Sequence, residues 1–213
     1  MSVFDYLIQN RADVSWRALE HLGLVAVSVG VAVVIGVPLG VMIARRPRLR
    51  GPILGGANVM QTIPSLALFG FLLAAPLVGL GARNAIIALV VYSLLPIIRN
   101  TYAGIIGVDP AVREAARGMG MTEWQLLRIV ELPLAAPVVL AGIRIAAVIG
   151  IGVATIAAAI GAGGLGVFIF RGLSMVDNGV IMAGAIPAAL LALIVDGLLH
   201  LVERRLDWRT KKR

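Results

Sequence analysis

The chain has 213 residues, 60% of them hydrophobic and only 14% charged, against roughly 25% charged in an ordinary soluble domain. Runs of ~20 apolar residues without barrel-like alternation leave the α-helix as the way to satisfy backbone polar groups in lipid, so the composition predicts an all-α, polytopic membrane protein. The net charge of +8 lies mostly in short loops and the C-terminal tail, which argues against a nucleic-acid partner, and the lack of cysteine excludes disulfides and thiolate metal sites.

The N-terminal stretch 1–21 has no basic region followed by an apolar core and does not read as a signal peptide. Its Phe4, Leu7, Ile8, Trp16 and Leu19 predict one short amphipathic segment lying at the external interface. Five transmembrane helices are predicted, at roughly 22–44, 52–77, 84–106, 134–159 and 180–202. Fourteen of the nineteen Lys and Arg residues fall in 45–50, in 99–133 and in the basic tail 203–213. Four others, Arg11, Arg17, Arg83 and Arg171, fall on the opposite side, and Arg144 lies within a span. That asymmetry predicts an external N-terminus and a cytoplasmic C-terminus, which requires an odd number of spans.

Within the second span Pro64 removes a helix hydrogen bond and predicts a kink. Gln61, Thr62 and Ser65 stand beside it, and two roles are open to them: pairing with the freed backbone, or lining a solute path. Arg99 and Asn100 are candidates for the same path. Near the cytoplasmic side, Arg144 lies about ten residues into the fourth span and Asp196 about six residues before the end of the fifth. At ~1.5 Å per residue the two differ by roughly 6 Å in depth. An arginine costs about 2.5–3.5 kcal/mol near a span centre, so an ion pair at the gate is expected; independent snorkelling of each group to the interface is the alternative.

Between the third and fourth spans the charged stretch 109–133, "DPAVREAARGMGMTEWQLLRIVELP", interrupts the apolar pattern. Asp109 and Pro110 read as N-cap and first helical residue. Val112, Ala115, Ala116 and Met119 recur on one apolar face, with Arg113, Glu114 and Arg117 on a charged face set to meet another protein. Gly118 and Gly120 end this helix. Thr122 and Gln125 make a capping-box pattern for a second short helix, which carries Trp124, Leu127 and Val130 and stops before Pro133.

Three further motifs carry less. "GAGGLG" (161–166) lacks the preceding strand that dinucleotide binding needs, and is expected instead to end the fourth span and turn the chain along the external face. There "VFIFRGLSMVDNG" is available to a partner or gate. No phosphate-binding loop of the G-x-x-x-x-G-K-[ST] type occurs. The G-x-x-x-G spacings at Gly36/Gly40 and Gly51/Gly55 permit close helix packing.

The loop residues Glu114, Ala115, Ala116, Gly120, Leu132 and Pro133 match the EAA loop of ABC-importer permeases, with Val130 where isoleucine is usual. The chain thus resembles that family over nearly its whole length. The resemblance implies a single permease domain with the methionine-permease-like type I importer core. It also implies an ATPase-coupling role for Glu114, Ala115, Ala116, Arg117, Gly118, Gly120, Leu132 and Pro133. "QTIPSLALFGFL" (61–72), "YSLLPIIRNTYAGI" (92–105) and "GIGVATIAAAIGAGGLG" (150–166) resemble permeases of the osmoprotectant subfamily, which import glycine betaine, choline, carnitine or proline betaine.

The expected partners are ABC ATPase subunits that bind the ATP, a second permease copy or paralogue, and the lipid bilayer. The chain ends about ten residues after its last span, so the extracytoplasmic solute-binding protein is expected as a separate chain. No cofactor, metal or catalytic residue is expected in this one. An importer for another small solute such as methionine, or a self-sufficient secondary transporter or channel, are the alternatives.

Overall fold

A computed structural model describes residues 3–206, the side chain of Phe4 excepted. The predicted tail residues Arg209, Lys211, Lys212 and Arg213, and the predicted interfacial contact of Phe4, lie outside the described residues. Among those described there are helices and turns and no strand. In chain order the helices are α1 (Val3–Gln9), α2 (Arg11–Arg45), α3 (Arg50–Thr62), α4 (Ser65–Ala74), α5 (Ala82–Ile106), α6 (Pro110–Gly118), α7 (Glu123–Gln125), α8 (Leu132–Ala157), α9 (Gly166–Met175) and α10 (Asn178–Leu206). Four helical stretches are long and apolar enough to cross a membrane: α2, α5, Glu123–Ile160 and α10. The pair α3–α4 makes a fifth if counted as one span.

Two expectations are corrected at this level. The predicted N-terminal segment is not one element: the chain breaks at Asn10, whose Nδ2 turns back to donate to the Tyr6 carbonyl at 2.9 Å, and Trp16 and Leu19 already belong to α2. At ~1.5 Å per residue α2 is roughly 52 Å long, well beyond a ~30 Å hydrocarbon core, and its first turns carry Asp13, Arg17 and Glu20.

The second correction concerns the second span. It is not merely kinked but broken, with α3 and α4 meeting at 100°. Ile63 and Pro64 both take extended backbone, at ψ 125° and 139°. Proline pushes its preceding residue out of the helical region, and that ends α3 outright rather than bending it.

The centre of the molecule is α5, held between α2 and α8. Small residues let the backbones approach. A Cβ on Gly36 would stand 2.8 Å from Ile97 Cγ2, one on Gly40 2.5 Å from Thr101 Cβ, and one on Gly142 2.6 Å from Asn100 Cβ. The other glycine pair, Gly51 and Gly55 on α3, faces open space. Overpacking costs about 1–3 kcal/mol, so Gly40→Val is expected to lower the thermal midpoint of the purified protein. Gly51→Ala, which adds helix propensity in open space, should leave that midpoint level or raise it.

At the far end of α8 the glycine-rich turn behaves as the sequence predicts. Gly161, Gly163 and Gly164 all take positive φ, and the chain reverses into α9. The Gly164 N–H donates to Glu20 Oε2 at 3.2 Å. Beside it the buried His21 donates from Nε2 to the Ile151 carbonyl at 3.1 Å. The turn is thereby fastened to the N-terminal part of α2.

Candidate functional site

The loop between α5 and α8 is built from local signals that the sequence carries in full. The Asp109 carboxylate accepts from the Ala111 N–H at 2.9 Å and Pro110 opens α6. At the other end Gly120, at φ +82°, closes a Schellman turn: its N–H donates to the Arg117 carbonyl, and that of Met121 to Ala116, at 2.9 and 3.2 Å. Gly118 is the last helical residue and takes no special conformation; the space above it is open. Both halves of the capping box form between Thr122 and Gln125.

The second loop helix does not stop before Pro133. Residues Leu126–Glu131 continue as a π-helix directly into α8. The wider register passes its last hydrogen bond from the Leu132 N–H to the Leu127 carbonyl, so Pro133, which has no N–H to give, sits in the first turn of the next helix at no cost.

The faces of α6 depart from those predicted, although Glu114 and Arg117 are exposed as expected. Val112, Ala115 and Met119 are exposed, and only Ala116 is buried. Arg113 turns inward, where its Nη2 donates to the Ile105 carbonyl at the end of α5 and its Nε lies 3.2 Å from Glu131. Trp124 and Ile129 are also exposed, 66% and 59%. The loop therefore exposes apolar side chains together with the charges of Glu114, Arg117 and Glu123, and turns Arg113 inward. Glu114 is exposed at the edge of this surface, Leu132 packs among Ile105, Leu127 and Ala135, and Pro133 is exposed.

Sequence reasoning missed the charged cluster at Glu131. Glu131, with no exposed surface, is contacted on one oxygen by Arg45 Nη2 at 2.5 Å and on the other by Arg113. The second nitrogen of Arg45 reaches Glu123 at 2.9 Å, and Glu123 also holds Arg117 at 3.0 Å. The hydrogen bond that Arg117 donates to Glu123, followed by the Glu123 charge, raises the pKa of Arg117. An Arg-rich loop reads as a topology signal, and nothing in the spacing of Arg45 and Glu131 announces a pair.

The path candidates fall into two groups. In the first, Gln61 Nε2 donates 2.9 Å to the Tyr92 carbonyl on α5. That carbonyl would normally accept from residue 96, which is Pro96 and has no N–H. The Tyr92 hydroxyl in turn donates to the Ile63 carbonyl at the α3–α4 break. Gln61 therefore serves backbone freed by a proline, but in the neighbouring helix and not its own. Thr62 donates to Val59 at 2.7 Å, Arg99 to Asn58 Oδ1 at 3.2 Å, and Asn100 to the Pro96 carbonyl at 2.8 Å. Ser65 is half-buried at the start of α4. Leaving a buried carbonyl unpaired costs about 1–3 kcal/mol, so Gln61→Ala is expected to destabilise the protein by that order in thermal denaturation. Thr62→Ala, at an exposed position, should stay within about 0.5 kcal/mol of wild type.

The second group contains the ionisable residues of α8 and α10. Arg144 lies 3.6 Å from Asp196, the expected pair, and also 3.4 Å from Glu203, which the sequence reading left out.

A broken second span, a central α5 and a loop helix displayed between two spans define a helical membrane permease subunit. The chain belongs to the family of binding-protein-dependent transport system inner membrane components, whose pattern matches residues 36–208. It is 48% identical over 205 residues to the osmoprotectant import permease protein OsmW of Salmonella typhimurium, covering 94% of each chain. To the carnitine transport permease protein OpuCD of Listeria monocytogenes it is 46% identical, over 99% of this chain and 94% of that one. To the choline transport system permease protein OpuBB of Bacillus subtilis it is 44% identical, over 96% and 93%. In fold it is similar to the inward-facing MetNI methionine ABC transporter, with a TM-score of 0.81 at 25% identity over 91% of this chain and 96% of that one.

Proposed function

We propose that this chain is the membrane-spanning subunit of an ATP-driven importer for compatible solutes, of the glycine betaine, choline, carnitine or proline betaine type. Relatives that cover almost the whole chain, and whose names specify osmoprotectants, carnitine and choline, support the solute class. The observation that carries the coupling role is the set of exposed apolar side chains on the loop, Met119, Trp124 and Ile129, beside the exposed charges of Glu114 and Arg117. It suits a groove on a cytoplasmic ATPase subunit, which binds and hydrolyses the ATP. Glu114, Ala115, Ala116, Arg117, Gly118, Gly120, Leu132 and Pro133 belong to that coupling site. Gln61, Thr62, Pro64, Ser65, Arg99, Asn100, Arg144 and Asp196 belong to the path or its gate.

Two permease subunits form the pathway, and an extracytoplasmic binding protein delivers solute to it. In this reading the whole chain is one permease domain. Residues 1–21 form its external segment, 109–133 the cytoplasmic coupling loop and 203–213 the cytoplasmic tail. The arginines at 45–50 and 99–133 place the loop side in the cytoplasm by the positive-inside rule, with the N-terminus outside.

The test is uptake of labelled glycine betaine, choline, carnitine and methionine. It uses cells devoid of their own osmolyte importers that express this chain with its operon partners. Betaine or choline uptake that is lost in Glu114→Arg supports both solute class and coupling role. Uptake of methionine alone overturns the solute class, and uptake indifferent to Glu114→Arg removes that residue from the docking surface.

A further inference from the structure

We infer that Glu131 is the strut that carries movement of the coupling loop into the spans, a positioning residue that acts through Arg45 and Arg113; the inference rests on the coupling role proposed above. The EAA pattern leaves this position open: Glu131 stands between Val130 and Leu132, at the unspecified residue before Leu-Pro.

Three observations support it. A carboxylate with no exposed surface is costly unless paired, and Glu131 is contacted by a different element on each oxygen. Arg45 is the last residue of α2, and Arg113 lies on α6. Arg113 also donates to the Ile105 carbonyl, which brings the end of α5 into the same cluster. One side chain at the end of the π-segment thus gathers α2, α5, α6 and the start of α8.

The second observation is what does not connect α6 to the spans. A cleft of about 610 Å³ separates it from the adjoining ends of α5 and α8, lined by Gly104, Gly107, Asp109, Val112 and Pro137 among others. Apolar packing on that side is incomplete, so a push on α6 passes chiefly through the charged cluster. The third is direction. Arg45 donates a hydrogen bond to one oxygen of the carboxylate and Arg113 stands as its ion-pair partner 3.2 Å from the other, so span and loop meet on opposite sides of one group. Because removing one partner of a buried pair leaves the other charge unpaired, the tie is also one the protein does not lightly break.

The experiment uses the complete complex, this chain with its ATPase and binding-protein partners, reconstituted in lipid vesicles. ATP hydrolysis and labelled glycine betaine uptake are measured on the same vesicles for wild type, Glu131→Gln and Arg45→Gln. The expected result is that ATPase subunits remain bound and hydrolysis stays within about twofold of wild type, while solute moved per ATP falls at least tenfold. An unchanged ratio overturns the inference, and so does loss of the ATPase subunits, which would make the cluster a support for docking alone. Should Glu131→Gln fail to assemble, Arg45→Gln decides by the same ratio, because a glutamine there still offers an N–H and Glu131 keeps Arg113 as its cation.

A second readout is independent of the solute. The chain has no cysteine, so spin labels can be placed at the exposed Met119 on the loop and Val34 on α2. One narrow distance distribution is expected in the wild-type background and a clearly broadened one in Glu131→Gln. Equal widths overturn the strut, even where wild-type vesicles take up no glycine betaine and the solute assignment itself has failed.

Discussion

Truncating Trp124 to alanine is expected to weaken capture of the ATPase subunit about thirtyfold, with uptake falling in step and the stability of the permease unchanged. Trp124 is 66% exposed, so its indole supports little within the chain. The backbone beneath it is held by the capping box of Thr122 and Gln125 and by the Arg45–Glu123–Arg117 bridge. A large aromatic on a pre-formed base is the kind of side chain that dominates an interface, typically at about 2 kcal/mol or more, which is roughly thirtyfold in affinity. Titrating solubilised permease with the ATPase subunit measures it directly. Thr122→Ala, which loosens the cap by about 1 kcal/mol, should give a smaller defect. Equal capture by Trp124→Ala and wild type would show that the apolar face is not the docking surface.

The second large effect concerns Arg144. Replacing it by alanine leaves Asp196 and Glu203 without their shared cation, and uptake is expected to fall several-fold at normal expression. The three side chains are partly exposed, 27%, 44% and 22%, so each pair contributes no more than about 1 kcal/mol to stability after solvent screening. The functional loss is expected to exceed the loss of stability. The informative experiment is the charge swap. Arg144→Asp with Asp196→Arg restores one pair but sets the new carboxylate at 144 against Glu203. Rescue of uptake should therefore be partial, and should become complete when Glu203→Gln is added. Full rescue by the two-site swap would remove Glu203 from the cluster. Strictly additive defects would dissolve the pair itself.

Glu203 shows why such a prediction needs the fold. Depth along a helix follows from counting residues, so the meeting of Arg144 with Asp196 is legible from 1.5 Å steps. Which face of α10 meets α8 is not, but once Asp196 is on that face Glu203, seven residues further on, shares it and reaches the same arginine. The loop teaches the same lesson. Its caps at Asp109, Gly120 and Thr122 appear where the sequence puts them, because a cap is satisfied by residues two to five positions away. Arg113 turns inward, against the prediction, because its partners are Glu131 and the Ile105 carbonyl, neither of which lies on α6. Likewise one glycine pair packs against a neighbour and its twin does not, though the two have identical spacing.

The sequence by itself determined the membrane-spanning class, the positions of the apolar stretches, the turns at Pro64 and Gly161–Gly164, and the loop motif that carries the family. All of these are set by composition and by interactions within about one helical turn. Only the tertiary structure decided that Gln61 would serve a carbonyl freed by Pro96 and that Arg45 and Arg113 would converge on Glu131. Those pairings join residues 18 to 86 positions apart, and no local periodicity encodes which distant group a side chain will meet.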